Sequence, residues 1–429
     1  MVSVHLFVER RKKLCEQIKK QYKKKNGILC LFGNLEPERG LFRQESSFYY
    51  LTGITEPGVI LTVDLASDET YLFVPQYAIN RSLWMDTATF DVLFQDPLQR
   101  GINIIKPLGG QVSGYTMHAF GHINQYANLI GYLQEAVSAQ RTIFSLFSDE
   151  SDLYTNQKLL WFRLYDVITN VEKSLIDIHS LVADMRRKKD QQELDAIIEA
   201  ISITALAQET AAHVIHDNLS EAEVHGNIKY IMTASGATEG FASIVGSGKN
   251  STVLHYHNNN QIMQNGQLVV VDIGAEKNMY SADITRTYPV AGTFSERQKQ
   301  VYTVVLETQE YIASIARPGI WLRNKDNPEQ SLHHLAKAFL DKKGYGQYFV
   351  HGIGHYLGLD IHDVGSYAEP LKEGDVFTIE PGVYITKEQL GIRIEDNYYM
   401  TAKGAVCLSD GLAKTVEDVE LLMASGKKA

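Results

Sequence analysis

The chain has 429 residues, 44% of them hydrophobic and 21% charged, with a formal net charge of −10. This length is more than one ordinary core requires and predicts two domains, divided as 1–175 and 176–429. The acidic balance argues against broad nucleic-acid binding, and no apolar run is long enough to span a membrane.

The opening MVSVHLFVERRKK lacks a sustained apolar region with a small-residue cleavage site, so no secretory signal is expected. Three scattered cysteines, Cys15, Cys30 and Cys407, form no CxxC pair. They argue against a disulfide framework or a zinc–thiolate site and suit a reducing, cytoplasmic setting. A helix is predicted over Val8 to Lys25, carrying Leu14 and Ile18. Its basic run Lys19, Lys20, Lys23, Lys24 and Lys25 is read as a solvated face rather than an anion or RNA patch. Strands are predicted at Ile28 to Phe32, Gly58 to Leu65 and Thr70 to Pro75, with a turn at Ser67-Asp68-Glu69. From about residue 95 to 170 the pattern is mixed α/β and carries no strong motif.

A charged, exposed connector is predicted at Met185 to Lys189, before Asp190 and Glu193, which are spaced as a capping box. Leu194, Ile197, Ile198 and Ile201 then recur at helical spacing. A second helix starts at Ser220, with Glu223 as its box partner. Strand-like segments follow at Gly240 to Gly246, Ser251 to Tyr256, Gln267 to Gly274 and Tyr280 to Val290. Ser295 and Gln298 open another helix, which ends before Pro318-Gly319. Asn327-Pro328 opens the next, and Gly344 closes it. The last strands are predicted at Tyr348 to Ile353, Asp375 to Ile379, Val383 to Ile385 and Ile392 to Met400. Helix pair, strands, helix pair, strands is a repeat of order, which predicts two similar halves with joined sheets.

The acids within these strands carry the chemistry. Asp272 ends the apolar run Val269-Val270-Val271, where a carboxylate is costly unless paired, protonated or metal-bound. Asp283 starts the next strand, and a hairpin would set the two aspartates across from each other. The second half repeats the theme with glutamates. Glu380 ends Val376-Phe377-Thr378-Ile379, and alternation puts Glu395 on the same strand face as Arg393, opposite Ile392 and Ile394. Between the halves, HGIGHYLGLDIHDVG supplies His351, His355 and His362 among glycines that allow close backbone approach. One imidazole with four carboxylates is an oxygen-rich donor set that suits Mn²⁺, with Co²⁺, Fe²⁺ or Zn²⁺ as alternatives. Four carboxylates nearly neutralise two divalent cations, which favours two ions over one. Each residue alone has a structural explanation; their joint pattern does not.

These stretches resemble the metal-dependent aminopeptidase P and prolidase family of the creatinase-like pita-bread fold. The resemblance rests on IVGSGKNSTVLHY, VVVDIGAEKNMYSADITRTYPVAG, HGIGHYLGLDIHDVG, FTIEPGVY and GIRIEDN. In the first domain FRQESSFYYLTGITEPG is similar to the family's N-terminal segment, and the likeness weakens between about 95 and 170. The implied fold class is α+β, a pita-bread catalytic domain with an internal pseudo-twofold repeat after a smaller mixed α/β domain.

The resemblance implies that Asp272 chelates one metal, that Asp283 and Glu395 bridge both, and that His355 and Glu380 bind the other. It makes His255 and His362 outer histidines that contact the scissile carbonyl or shuttle protons, and His351 and Arg393 the lining of the proline or carboxylate side; general acid–base chemistry then makes Glu380 the proton shuttle. The activity implied is cleavage before proline, with peptides carrying proline second as substrates and a homodimer or homotetramer as the assembly. A Xaa-Pro aminopeptidase is the leading expectation and a Xaa-Pro dipeptidase the alternative. A non-catalytic binding module is disfavoured because all five ligand positions are filled, and the intact acid-rich set also argues against a creatinase-like hydrolase. This chain departs from the family at His257-Asn258-Asn259-Asn260 and in its short Lys387 to Leu390 segment. His257 is read as a solvated loop residue. Trp84 is read either as a core tryptophan or as the aromatic that relatives contribute to a neighbouring subunit's site.

Overall fold

A computed structural model describes residues 3–23, 26–37, 40–117, 122–148 and 154–426. The chain forms two compact units, residues 2–186 and 187–429.

The first unit is built on a six-stranded mixed sheet. Its spatial order is Ile104–Pro107, Thr70–Val74, Ile60–Asp64, Gly27–Phe32, Thr142–Ser145 and Leu175–Asp177. Gly27–Phe32 is central and buried throughout, as a fully apolar strand should be. Trp161, on the helix Thr155–Tyr165, seals one face, packing edge-on to Phe32 at 5.0 Å. Its indole N–H donates to Ser145 Oγ, which donates in turn to the Cys30 carbonyl. The segment without strong motifs, about 95–170, thus supplies one edge strand, one interior strand and two helices. Trp84 is exposed and lies flat on Tyr115 at 5.3 Å, which rules out the core reading. The N-terminal helix runs Val4–Tyr22, and Lys19 pairs with Asp68 across solvent. Lys24 and Lys25 lie outside the described residues. Cys15, Cys30 and Cys407 are all unbridged.

The second unit follows the predicted repeat. Helices Gln191–Val214 and Glu221–Ala234 precede a sheet of Ile244–Ser247, Leu268–Ile273 and Ile284–Pro289. Helices Glu296–Ile315 and Leu332–Lys342 precede the strands Val376–Ile379, Gly382–Ile385, Leu390–Arg393, Asp396–Thr401 and Gly404–Cys407. Capping boxes are complete at Asp190, Ser220 and Ser295, so each of those helices starts where its sequence says it should. Leu194, Ile197 and Ile201 are buried on the first helix, while Ile198 faces out. Among the described residues the two halves do not share one continuous ladder, which corrects the expectation of joined sheets. They meet where the Glu395 N–H donates to the Thr285 carbonyl and Thr287 Oγ donates to the Arg393 carbonyl.

Four local expectations are corrected. The connector Met185 to Lys189, expected to be exposed, buries Met185, Arg186, Arg187 and Lys189, because Arg187 pairs with Asp375 and Lys189 with Asp363. Ser251 to Tyr256 is a 3₁₀ turn and open loop, because the backbone of this stretch turns on itself instead of joining the neighbouring ladder. Tyr348 to Ile353 is likewise a 3₁₀ turn followed by bends. Pro328 starts a short 3₁₀ turn, and the helix proper begins at Leu332. Four helices, Ser46–Thr52, Ala88–Gln95, His179–Arg187 and Val416–Gly426, were not anticipated.

Candidate active site

Asp272 and Asp283 come from one end of a single hairpin. Leu268–Ile273 pairs antiparallel with Ile284–Pro289, in a register that sets Thr285 opposite Asp272. A smaller hairpin, Ala275–Lys277 with Tyr280–Ser281, closes that end. Asn397 clamps Asp283 from the second half: the Asp283 N–H donates to Asn397 Oδ1 at 3.2 Å, and the Asn397 amide donates back to the Asp283 carbonyl.

Glu380 and Glu395 come from strand ends in the second half. The Glu380 N–H donates to the Ile353 carbonyl at 2.9 Å, which draws the glycine-rich loop against Val376–Ile379. Gly354 makes this approach possible, since a Cβ there would stand 2.0 Å from the Thr378 carbonyl oxygen. The loop thereby seats His355, whose N–H donates to Thr378 Oγ. Nδ1–H of His355 donates to the Tyr356 carbonyl at 3.0 Å, leaving the Nε2 lone pair toward the acids. Nε2 lies 3.4 Å from Asp283, 3.6 Å from Glu380 and 4.0 Å from Glu395. Glu395 occupies the break between Leu390–Arg393 and Asp396–Thr401 and accepts from Thr285 Oγ at 2.7 Å.

Asp283, His355 and Glu395 offer ligand atoms all within 4.8 Å of one another, and all three residues are buried. Burial pushes the proton affinities of Asp283 and Glu395 well up, and the surrounding carboxylates push them further. Glu380 is raised as well, chiefly by burial and against the pull of His355 and Arg393. Asp272 Oδ1 and Asp283 Oδ1 are buried without a hydrogen-bond partner. Buried carboxylates with orphaned oxygens, together with an imidazole lone pair, form a donor set that a divalent cation would satisfy, and like charges at this spacing otherwise repel.

Arg393 is buried and committed on three sides: to Asp272 Oδ2 at 2.6 Å, Tyr384 OH at 2.8 Å and Thr285 Oγ at 3.1 Å. Its sequence-predicted place is beside substrate, whereas its hydrogen bonds hold Asp272. It shares Thr285 with Glu395, as expected for two residues on one face. His351 donates from Nδ1 to the Gly352 carbonyl and accepts at Nε2 from Tyr384. Burial and the nearby Arg393 depress it to about 3, so it is neutral at physiological pH. His362 is more exposed and stands edge-on to His355 at 4.2 Å. Burial, His355 and His255 depress it to about 4. His255 and His257 are both exposed, with ring centres 6.1 Å apart.

Sequence reasoning missed four residues that support the site: Thr285, Thr378, Tyr384 and Asn397. Thr378 was findable, because strand alternation places it on the same side as Glu380. Tyr384 and Asn397 act across long separations and left no local sign.

The chain matches metallopeptidase family M24 over residues 195–402 and the aminopeptidase P N-terminal domain over residues 7–90. It is 29% identical to the Haemophilus influenzae Xaa-Pro aminopeptidase, across 97% of this chain and 96% of that one. It is 32% identical to the Pyrococcus furiosus Xaa-Pro dipeptidase, across 75% of this chain and 94% of that one. Among solved structures, a putative aminopeptidase P from Bacillus anthracis superposes with a TM-score of 0.82 at 28% identity, covering 99% of both chains. A substrate complex of an Escherichia coli aminopeptidase P variant gives 0.82 at 26% identity over the full length of both.

Proposed function

The chain belongs to metallopeptidase family M24, and on that premise we propose that it is a Xaa-Pro aminopeptidase, removing the N-terminal residue from peptides with proline second. The observation that carries the reading is the buried Asp283–His355–Glu395 cluster beside two orphaned aspartate oxygens. Two divalent cations, with Mn²⁺ the best fit to the donors, would be held by Asp272, Asp283, His355, Glu380 and Glu395. When bound, such ions lower the pKa of water and polarise the scissile carbonyl.

The chain's own residues supply the remainder. Glu380, with its proton affinity raised by burial, takes a proton at its carboxylate and delivers it to the leaving proline nitrogen. His362, neutral at physiological pH, donates a hydrogen bond where charge grows on the carbonyl oxygen, with His255 alongside. Both ring nitrogens of His351 are engaged, so it contributes a fixed wall on the proline side. Arg393, which shares Tyr384 with that wall, holds Asp272 in place. A homodimer or homotetramer is the proposed assembly, and a cytoplasmic setting accords with the unbridged cysteines.

The alternative is a Xaa-Pro dipeptidase, because relatives of that name also match much of the chain. Incubation of Mn²⁺-loaded protein with a Xaa-Pro dipeptide and a Xaa-Pro-Xaa-Xaa peptide separates the two. Cleavage of the longer peptide before proline is expected. Cleavage of the dipeptide alone reverses the assignment, and cleavage of neither with metal bound points to a binding module.

A further inference from the structure

Between the 3₁₀ turn Gly248–Thr252 and Ile262, the chain carrying His255 belongs to no ladder. Nothing in its own backbone pattern sets the height of that histidine. Yet the segment starts against the strand that bears Arg393, to which Ser251 ties it through the Gly391 N–H. What fixes the segment is a set of side-chain anchors.

The largest anchor is Glu221, the first residue of the helix Glu221–Ala234, which is completely buried. Its carboxylate accepts five hydrogen bonds, all from the 247–261 segment. Oε1 takes Ser247 N, Ser247 Oγ and Asn250 Nδ2; Oε2 takes Tyr256 OH and Gln261 N. All five donors are neutral, and charge-assisted bonds of this kind are the strong ones. Tyr256, next to His255, is the one side chain that ties the middle of the open loop to this carboxylate, at 2.8 Å. Asn260 meets the same hydroxyl at 3.0 Å. Asn259, at φ 45°, stitches the loop to the sheet by accepting from Val245 N and donating to the Ser243 carbonyl. The unusual His-Asn-Asn-Asn run is therefore part of a clasp. At its far end, Ser251 Oγ accepts the Gly391 N–H, which joins the loop to the strand bearing Arg393.

We infer that Tyr256, held by the buried Glu221 carboxylate, is the positioning residue that sets His255 against the reacting carbonyl. The inference rests on the role proposed above for His255. A histidine on an unanchored, solvent-exposed loop would sample many positions, and misplacement by about 1 Å costs on the order of 100-fold in rate.

A double-mutant cycle tests it, with Xaa-Pro peptide kinetics, metal content and melting temperature read for each protein. Tyr256→Phe deletes one hydroxyl and leaves four donors on Glu221. It is expected to lower kcat roughly 10–100-fold with KM little changed and metal content intact. His255→Ala is expected to lower kcat at least as much, and adding Tyr256→Phe to it is expected to change nothing further. Multiplying effects in the double variant, or full activity of Tyr256→Phe beside an impaired His255→Ala, overturns the inference. Full activity of His255→Ala instead overturns the proposed role of His255, and this inference with it. If Tyr256→Phe does not fold, Asn260→Ala strips the other partner of the same hydroxyl at an exposed position. A smaller loss that disappears on the His255→Ala background supports the inference, and an independent loss or no loss refutes it.

Discussion

Asp283→Asn keeps the shape of a buried acid while removing its charge, and it should move stability in opposite directions with and without metal. Carboxylate oxygens of Asp283 and Glu395 lie within 4.8 Å. Two ionised groups at that separation repel by about 3.5 kcal/mol at an effective dielectric of about 20. The raised proton affinities of both groups reduce the repulsion that is realised. The new amide also supplies a donor where Asp283 Oδ1 has no partner. The metal-free variant is therefore expected to be more stable than metal-free wild type by about 1–3 kcal/mol, which is roughly 2–4 °C of melting temperature per kcal/mol for a domain of this size. With Mn²⁺ the order reverses. A ligand at 100 times its Kd stabilises by about 2.7 kcal/mol, and the variant has lost a bridging carboxylate that would hold it. Calorimetric melts of chelator-treated and Mn²⁺-replete proteins, with metal content measured alongside, give both comparisons. A metal-free variant that melts below wild type, or an equal Mn²⁺ shift in both proteins, refutes the view that these acids are gathered for a cation.

Arg286 and Asp396 form a fully buried pair at 2.7 Å, and the same guanidinium donates to the Glu395 and Ala413 carbonyls. Arg286→Met is expected to cost about 3–5 kcal/mol by urea unfolding, at the lower end because Lys414 still reaches Asp396. Arg286→Lys should recover only part, since an ammonium cannot reproduce the fork; full recovery contradicts the geometric account. Glu239 is held down to about 2, first by its hydrogen bond from His225 and against the effect of burial. A depressed carboxyl adds stability that is complete above the ordinary glutamate value of 4.5 and fades as pH falls toward 2. Melting temperature followed across that window should fall less steeply in Glu239→Gln than in wild type, and parallel curves would remove Glu239 from the account.

Much of the site was legible because its signals are local or compositional. Asp190, Ser220 and Ser295 announce their helices through a partner three residues away, and all three boxes form. The alternation through Ile392, Arg393, Ile394 and Glu395 was readable too, and the two isoleucines are buried. Ser251 to Tyr256 and Tyr348 to Ile353 misled because short apolar runs look alike whether or not a neighbouring strand pairs with them. In the second, the Ile353 carbonyl is taken by the Glu380 N–H, a partner the local pattern cannot reveal.

By itself, the sequence determined the identities of the donors, their order along the chain and the fact that acids sit where burial makes them costly. Those properties belong to residue types and to contacts a few positions apart. Only the tertiary structure decided which of them meet. Thr285 joins Glu395 across 110 residues, Arg393 reaches Asp272 across 121, and Glu221 holds Tyr256 across 35. Each depends on a register fixed by packing elsewhere, since a shift of one residue would turn these side chains to the opposite face. The chemistry is written residue by residue; its convergence is a property of the folded chain.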